Sequence, residues 1–247
     1  MPFLKTPFPE AISLARYISS SGYCSYKNAI SLIQSGNVVL NGTIASEFWF
    51  PIHPEHDSVE VDNFKIKNTS GKKYYAFNKP TGLITSHSDS EGIPTVYDFL
   101  KQKGMNQWVT SAGRLDVDTS GLMVLTNDTA FIRFLSHPET KVKKKYIVSV
   151  TGKVGTEKLL PLNEGIKLKN DEICAPVDFR ILTSDDSFSE IELTLTEGKK
   201  RQIRRMMKIL RLNLLSLKRT QIGNCKLGNL PEGEFQEIKK EEIIADN

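Results

Sequence analysis

Residues 113–122 read GRLDVDTSGL, and residues 123–126 continue as MVLT. The second run is apolar and of strand length, so it predicts a buried strand with Asp116 and Asp118 in a tight loop just before it. Loops that are held by a buried element often carry catalytic or binding residues. Aspartate, threonine, serine and glycine also build ordinary turns, so the loop alone leaves a structural and a functional interpretation open.

The composition is that of an ordinary globular protein. The 247 residues, 39% of them hydrophobic, suffice for one large domain or two smaller ones. The formal net charge of +4 permits a nucleic-acid partner without requiring one. Three well-separated cysteines favour reduced thiols in a cytoplasmic protein over a disulfide framework or a zinc site. No apolar run reaches the roughly 20 residues of a membrane helix, so we expect no membrane partner; we also expect a monomer.

Residues 10–68 predict a small αβ domain that follows an extended, proline-containing tail over 1–9. Its predicted elements are a helix over 11–21, a second helix from the N-cap Ser25 to Gly36, a hairpin that turns at Asn41-Gly42, and one strand within 58–66. The two helices and the Gly-x-Val-x-Leu-Asn-Gly hairpin resemble the S4 RNA-binding domain. Ser13 and Tyr26 stand where that family usually carries arginine, so we expect RNA affinity to come mostly from the rest of the chain. A plain αβ packing module is the alternative.

A polar linker over 69–73 leads into a second domain over 74–247. Its predicted elements are a strand over 74–77 with a turn over 78–82, a helix from the N-cap Thr95 to Gln102, a helix from the N-cap Asp128 to Pro138, strands over 146–150 and 191–195, and a helix within 199–210. Lys79 falls in the predicted turn, where we expect a solvated side chain rather than a phosphate ligand.

Two basic segments, 141–145 and 199–208, are candidates for contacts with phosphates, although each is also typical of a solvated surface. In the second segment, a stripe at helical spacing predicts the buried side: Ile203, Met206, Met207 and Leu210. Arg204 lies beside this stripe. We therefore expect its guanidinium to be half-buried and to need a carboxylate partner.

Two patterns resemble metal sites. Residues 116–121 follow the start of an EF-hand loop, but Asn127 stands where the bidentate glutamate is required. His53 and His56 flank a proline, which prevents a helix from aligning their rings. We therefore expect no metal. The central loop keeps two interpretations: a turn in a protein that only binds RNA, or a catalytic site with one ionised aspartate.

Four motifs follow one another from the central loop onwards. In chain order they are Gly-Arg-Leu-Asp-x-x-Thr-Ser-Gly-Leu at 113–122, Leu-Thr-Asn-Asp at 125–128, Lys-Lys-Tyr-x-Val at 144–148, and Glu-Gly-x-x-x-Gln-Ile-Arg-Arg-Met at 197–206. Together they resemble the RsuA-type family of ribosomal RNA pseudouridine synthases. The resemblance implies an α+β fold, in which a small S4-like αβ domain precedes a catalytic domain with a mixed, largely antiparallel sheet and flanking helices. It also implies isomerisation of a uridine in ribosomal RNA without a cofactor.

The resemblance further implies roles for individual residues. Asp116 is the carboxylate that attacks C1′ of the ribose or removes a proton from C2′, and Arg204 is its ion-pair partner. Tyr146 packs against the uracil and assists loss of the C5 proton. The expected RNA-binding residues are Arg114, which fills the space left by the flipped nucleotide, and Lys144, Arg201 and Arg205.

The expected target is large-subunit ribosomal RNA. Residues 201–205 and the closing segments 218–220 and 233–235 look closer to the large-subunit members of the family. A small-subunit target is one alternative. The other is a non-catalytic RNA-binding or ribosome-assembly factor.

Overall fold

A computed structural model describes residues 12–54, 56–66, 71–87, 92–105, 107–168 and 172–244. The chain divides into two compact units. The first contains residues 1–73 and 106–110, and the second contains residues 74–105 and 111–247. In the described ranges, every helix is too short or too polar to cross a membrane.

The first unit packs two helices against small antiparallel sheets. Its elements are β1 Ile12–Ser13, α1 Leu14–Ser20, α2 Tyr26–Gln34, β2 Val38–Leu40, β3 Thr43–Ile44, β4 Pro51–Ile52, β5 Val59–Val61 and β6 Phe64–Ile66. The main sheet has the order β3-β2-β5-β6, while β1 pairs with β4. Ser25 caps α2 as expected, because its Oγ accepts a hydrogen bond from the backbone N–H of Asn28 at 3.1 Å.

Local backbone chemistry changes two predicted elements of this unit. The first helix begins at Leu14 rather than at residue 11, because the side chain of Ser13 caps it and β1 pairs with β4. The segment 58–66 forms two strands rather than one. The turn between them uses Asp62 and Asn63, both with positive φ (50° and 66°), a conformation that aspartate and asparagine tolerate better than most residues. The predicted tail and residues 69–70 of the predicted linker lie outside the described residues.

The remaining chain builds a larger α+β unit. Its elements are β7 Tyr74–Lys79, α3 Val96–Gln102, β8 Thr110–Ser111, β9 Ser120–Thr126, α4 Thr129–Ser136, a 3-10 turn Pro138–Thr140, β10 Lys144–Thr151, α5 Thr156–Leu159, α6 Pro161–Glu164, β11 Asp178–Ser184, β12 Phe188–Leu195, α7 Gln202–Ile209, β13 Leu214–Ile222, β14 Cys225–Lys226, β15 Phe235–Ile238 and α8 Lys240–Ile243.

The central sheet of this unit runs in the order β11-β12-β10-β13-β9-β7-β15. Neighbours along this path pair antiparallel except β13 and β9, which pair parallel. Leu122 and Val124 of β9 share one buried cluster with Phe131 and Leu135 of α4. The mixed, largely antiparallel sheet with flanking helices is therefore confirmed.

Gly121 fixes where the central loop joins the sheet. It pairs with Arg219 across the parallel β9–β13 contact. Its φ is +102°, and a Cβ at this position would overlap the carbonyl oxygen of Arg219. Only glycine fits this approach. As a result, the loop just before β9 is held at a fixed distance from β13.

Candidate active site

The central loop lines a cavity of about 770 Å³ in the second unit. Residues from β10, β12, β13, the start of α7 and the segment after β7 form its other walls. The cavity brings together five of the residues predicted from the sequence, namely Arg114, Asp116, Tyr146, Arg201 and Arg204. Lys144 and Arg205 do not line it.

The buried side chain of Lys79 fixes the backbone of the central loop. The Nζ of Lys79 donates hydrogen bonds to the carbonyl oxygens of Pro80 (3.0 Å), Asp116 (3.2 Å) and Thr119 (2.9 Å), and Lys79 is 0% exposed. The prediction that Lys79 is a solvated turn residue is therefore wrong, because β7 continues to Lys79. Burial lowers its pKa to about 8, against the opposing effect of the nearby carboxylates of Asp118 and Asp116.

The segment after β7 also forms hydrogen bonds with the backbone of the loop. Thr85 Oγ1 donates to the carbonyl of Leu115 at 2.8 Å and accepts from the N–H of Leu115 at 3.3 Å. The N–H of Gly82 donates to the carbonyl of Val117 at 2.8 Å. Sequence reasoning missed Thr85 and Lys79 as site residues. The available signal for Lys79 was its place two residues after the apolar run 74–77, where strand alternation allows either a buried or an exposed side chain.

Arg204 is half-buried, as predicted, with its side chain 19% exposed. Its Nη2 lies 2.9 Å from Oδ1 of Asp118, donates to the carbonyl of Asp118 at 2.8 Å and contacts Oγ1 of Thr119 at 3.2 Å. The predicted pairing with Asp116 is therefore wrong. The loop turns its second aspartate, rather than its first, towards α7. Within the described residues, Nε of Arg204 is buried without a hydrogen-bond partner.

Arg201 is the cation that contacts Asp116. Its Nη1 lies 3.5 Å from Oδ2 of Asp116, and its Nη2 lies 3.1 Å from Oδ2 of Asp118. The residue precedes α7 in a left-handed conformation with φ of 50°. The helix predicted within 199–210 begins at Gln202, so Arg201 lies just before it rather than on one of its faces.

Tyr146 supplies an aromatic surface in the cavity wall. It lies on β10 between Leu193 of β12 and Arg219 of β13, and it is 8% exposed. Leu195 and Leu217 also line the cavity. The site thus offers carboxylates beside an apolar, aromatic wall, which suits a flat and weakly polar ring next to a reacting sugar.

The other predicted RNA-binding residues differ in environment. Arg114 is exposed at the cavity. Lys144 is partly buried, its Nζ donates to the carbonyl of Val142 at 3.2 Å, and burial lowers its pKa to about 8. Arg205 forms an ion pair with Glu172 at 2.7 Å. Lys144 and Arg205 therefore already have protein partners outside the cavity.

The two metal-like patterns of the sequence have structural explanations. Residues 120–126 form β9, so the segment that would complete an EF-hand loop is a buried strand. In the other pattern, Asp57 Oδ2 accepts from the N–H of His53 at 2.6 Å and Oδ1 accepts from Asn41 at 2.8 Å. Among the described residues, no group of three or more His, Cys, Asp or Glu side chains could hold a metal ion.

This chain is similar to known proteins in both sequence and architecture. The family model described as RNA pseudouridylate synthase matches residues 73–208. The ribosomal large subunit pseudouridine synthase B of Bacillus subtilis (strain 168) is 34% identical, over 93% of this chain and 93% of its own length. An uncharacterized RNA pseudouridine synthase of Aquifex aeolicus (strain VF5) is 32% identical, over 94% of this chain and 92% of its own length.

A solved structure agrees with these relatives. The crystal structure of a pseudouridylate synthase superimposes with a TM-score of 0.63 and 29% sequence identity, covering 94% of this chain and 98% of that chain. The resemblance to RsuA-type enzymes is thereby confirmed. With its loop, cavity and sheet, the chain belongs to the RNA pseudouridylate synthase family.

Proposed function

We propose that this enzyme converts a specific uridine of large-subunit ribosomal RNA to pseudouridine, with Asp116 as the reacting carboxylate. The observation that carries the proposal is the cavity that Asp116 and Tyr146 line together, with Leu195 and Leu217 beside them. The Bacillus subtilis relative, whose name specifies the large ribosomal subunit, supports the choice of RNA.

The reaction breaks the N1–C1′ bond, rotates the uracil and forms a C5–C1′ bond. The hydrogen leaves C5 and N1 gains one, so no atoms are gained or lost overall. A glycosidase needs two carboxylates and an activated water. An isomerase needs one carboxylate and a site that keeps water from the detached base. Asp116 serves either by attacking C1′ or by removing the proton from C2′.

The two aspartates have different tasks. Asp118 is held by Arg204 through its carboxylate and its carbonyl, so it fixes the shape of the loop. Asp116 contacts only the more exposed Arg201 among the described ion pairs, so its carboxylate can turn to the substrate. Arg204 therefore acts on catalysis through the shape of the loop, which it fixes at Asp118 and Thr119.

Tyr146 and the cationic residues complete the proposal. Tyr146 packs against the uracil and assists loss of the C5 proton. Arg114 occupies the space left by the flipped uridine and offsets part of the unstacking cost of a few kcal/mol. Outside the cavity, Lys144 and Arg205 contribute positive charge along the bound strand. The first unit acts as an S4-type RNA-binding domain of a monomeric, cytoplasmic enzyme.

The experiment is to assay Asp116→Asn on large-subunit ribosomal RNA transcribed without modifications. The near-isosteric change should abolish turnover and spare RNA binding and folding. Asp178→Asn, at an exposed position of β11, is the matched control and should behave like the parent. Mapping of pseudouridines in cells with and without the gene identifies the target uridine. A variant that retains turnover, or a map in which no large-subunit site disappears, would contradict the proposal.

A further inference from the structure

Arg201 contacts one oxygen of the reacting carboxylate of the proposed site. Its guanidinium bridges Oδ2 of Asp116 and Oδ2 of Asp118 at 3.5 and 3.1 Å. A residue with a side chain seldom adopts the left-handed conformation that Arg201 has. The contact joins the segment before α7 to both carboxylates of the central loop.

The two arginines of the site differ in how firmly they are held. Arg204 is 19% exposed and binds two oxygens of Asp118 together with the hydroxyl of Thr119. The side chain of Arg201 is 44% exposed, and its partner Asp116 is 39% exposed. Ion pairs between such exposed groups are weak and screened by salt. Arg201 can therefore change partners while Arg204 stays in place.

The substrate must approach the same carboxylate group. A carboxylate that attacks C1′ or deprotonates C2′ must approach the ribose to within about 3–3.5 Å. The guanidinium of Arg201 engages Oδ2, one of the two carboxylate oxygens of Asp116 that could make that approach. The RNA also brings phosphodiester groups, and the planar fork of an arginine binds phosphate with two parallel hydrogen bonds. Lys200, which also lines the cavity, adds charge beside Arg201.

We infer that Arg201 exchanges partners during RNA binding: it holds Asp116 and Asp118 in the free enzyme and transfers to an RNA phosphate in the complex. Transfer frees Oδ2 of Asp116, so phosphate binding and release of the reacting carboxylate are one event. The inference rests on the proposed function and adds a binding role and a protective role for Arg201. No covalent step is involved.

A double-mutant cycle tests the exchange by equilibrium binding. The ligand is a large-subunit ribosomal RNA transcript that the parent enzyme has converted completely, so that no turnover disturbs the measurement. The proteins are the parent, Asp116→Asn, Arg201→Gln and the double variant. Asp116 competes with phosphate for Arg201, so Asp116→Asn should tighten binding more in the parent background than in the Arg201→Gln background. The expected ratio of the two effects is about two- to fivefold, the range of an exposed ion pair.

Simple loss of a negative charge tightens binding equally in both backgrounds, so equal effects would overturn the exchange. Arg201→Gln should also lower the slope of log affinity against log salt by about 0.7, the contribution of one phosphate contact; an unchanged slope would overturn the phosphate contact. Lys200→Gln changes the same charge one residue away and should leave the coupling between Asp116 and Arg201 intact.

Two further controls keep the outcome interpretable. If Arg201→Gln does not fold, Arg201→Lys replaces it, because lysine keeps the charge but lacks the fork that bridges two carboxylates. Its coupling with Asp116 should be at least about twofold weaker than that of arginine, and full coupling would overturn the bridging role. A parent enzyme that converts no uridine of the transcript would overturn the proposed function and this inference together. An active enzyme without coupling would overturn the inference alone.

Discussion

Replacing Lys79 with methionine removes the buried ammonium that holds the central loop. Two effects on stability oppose each other. The carbonyls of Pro80, Asp116 and Thr119 lose a donor, at about 1 kcal/mol each and about 3 kcal/mol together. The cost of burying the charge disappears, and since burial lowers the pKa from 10.5 to about 8, that relief is also about 3 kcal/mol. We expect the free energy of unfolding to change by less than about 2 kcal/mol.

Catalysis should respond much more strongly than stability. A catalytic group displaced by about 1 Å loses on the order of 100-fold in rate, so we expect Lys79→Met to lower kcat about 100-fold. Lys79 does not line the cavity, so KM for RNA should stay within about threefold. Formation of the C5–C1′ bond expels the C5 hydrogen. Release of tritium from RNA labelled at C5 of uracil therefore measures turnover. Lys226→Met, at an exposed position of β14, should match the parent.

The same ammonium predicts opposite pH trends for activity and stability. In the folded enzyme Lys79 loses its proton near pH 8, so kcat should fall as pH rises through about 8. The folded pKa lies below the unfolded value of 10.5; the unfolded state therefore binds more protons between these values, and this group's contribution to the free energy of unfolding rises with pH. Lys79→Arg stays charged and should lose the fall near pH 8. The positioning role would be refuted if Lys79→Met kept the parental kcat. It would also be refuted if the melting temperature of Lys79→Met fell by more than about 10 °C and this unfolding accounted for the loss of kcat.

Three further variants test other contacts. Gly121→Ala should lower the free energy of unfolding by about 3 kcal/mol in urea titrations, because the added Cβ overlaps the Arg219 carbonyl. The control Gly228→Ala has a positive φ but open space around it, so it should lower the free energy of unfolding by only about 1 kcal/mol. Equal losses in the two variants would contradict the argument. Arg204→Met should lower kcat at least tenfold in the tritium assay while the protein remains folded. Parental activity would show that the contact of Arg204 with the loop does not contribute to catalysis. Tyr74→Phe deletes the 2.9 Å hydrogen bond to Asp128, the N-cap of α4. It should lower the free energy of unfolding by about 1–2 kcal/mol and leave kcat unchanged. A lower kcat would mean that the capping of α4 affects the active site.

Local signals predicted much of the fold. The caps Ser25, Thr95 and Asp128 each accept a backbone hydrogen bond three residues later, as their residue types and spacing indicate. The Asn41-Gly42 turn has the positive φ at both positions that a tight hairpin requires. These features depend on a few neighbouring residues, which is why a single sequence is enough to predict them. The S4-type function of the first unit stays a prediction.

The partners within the site depend on contacts that no local pattern records. The alternation of an apolar strand allows Lys79 to face either solvent or core, and only the loop carbonyls about 40 residues away make the core favourable. Asp116 and Asp118 are likewise two residues apart with equal chemistry. Which of them receives Arg204 is decided by the path of the loop, and that path is set by Lys79 and Thr85.

The parallel contact between β9 and β13 has a consequence for the order of folding. Gly121 and Arg219 meet across 98 residues of sequence, and contacts of such separation form late because the intervening chain must first be brought together. During synthesis the loop with Asp116 emerges long before its neighbour on β13. A nascent chain therefore cannot present a finished site to RNA until β13 has been made, so activity should appear only in polypeptides that extend beyond Ile222.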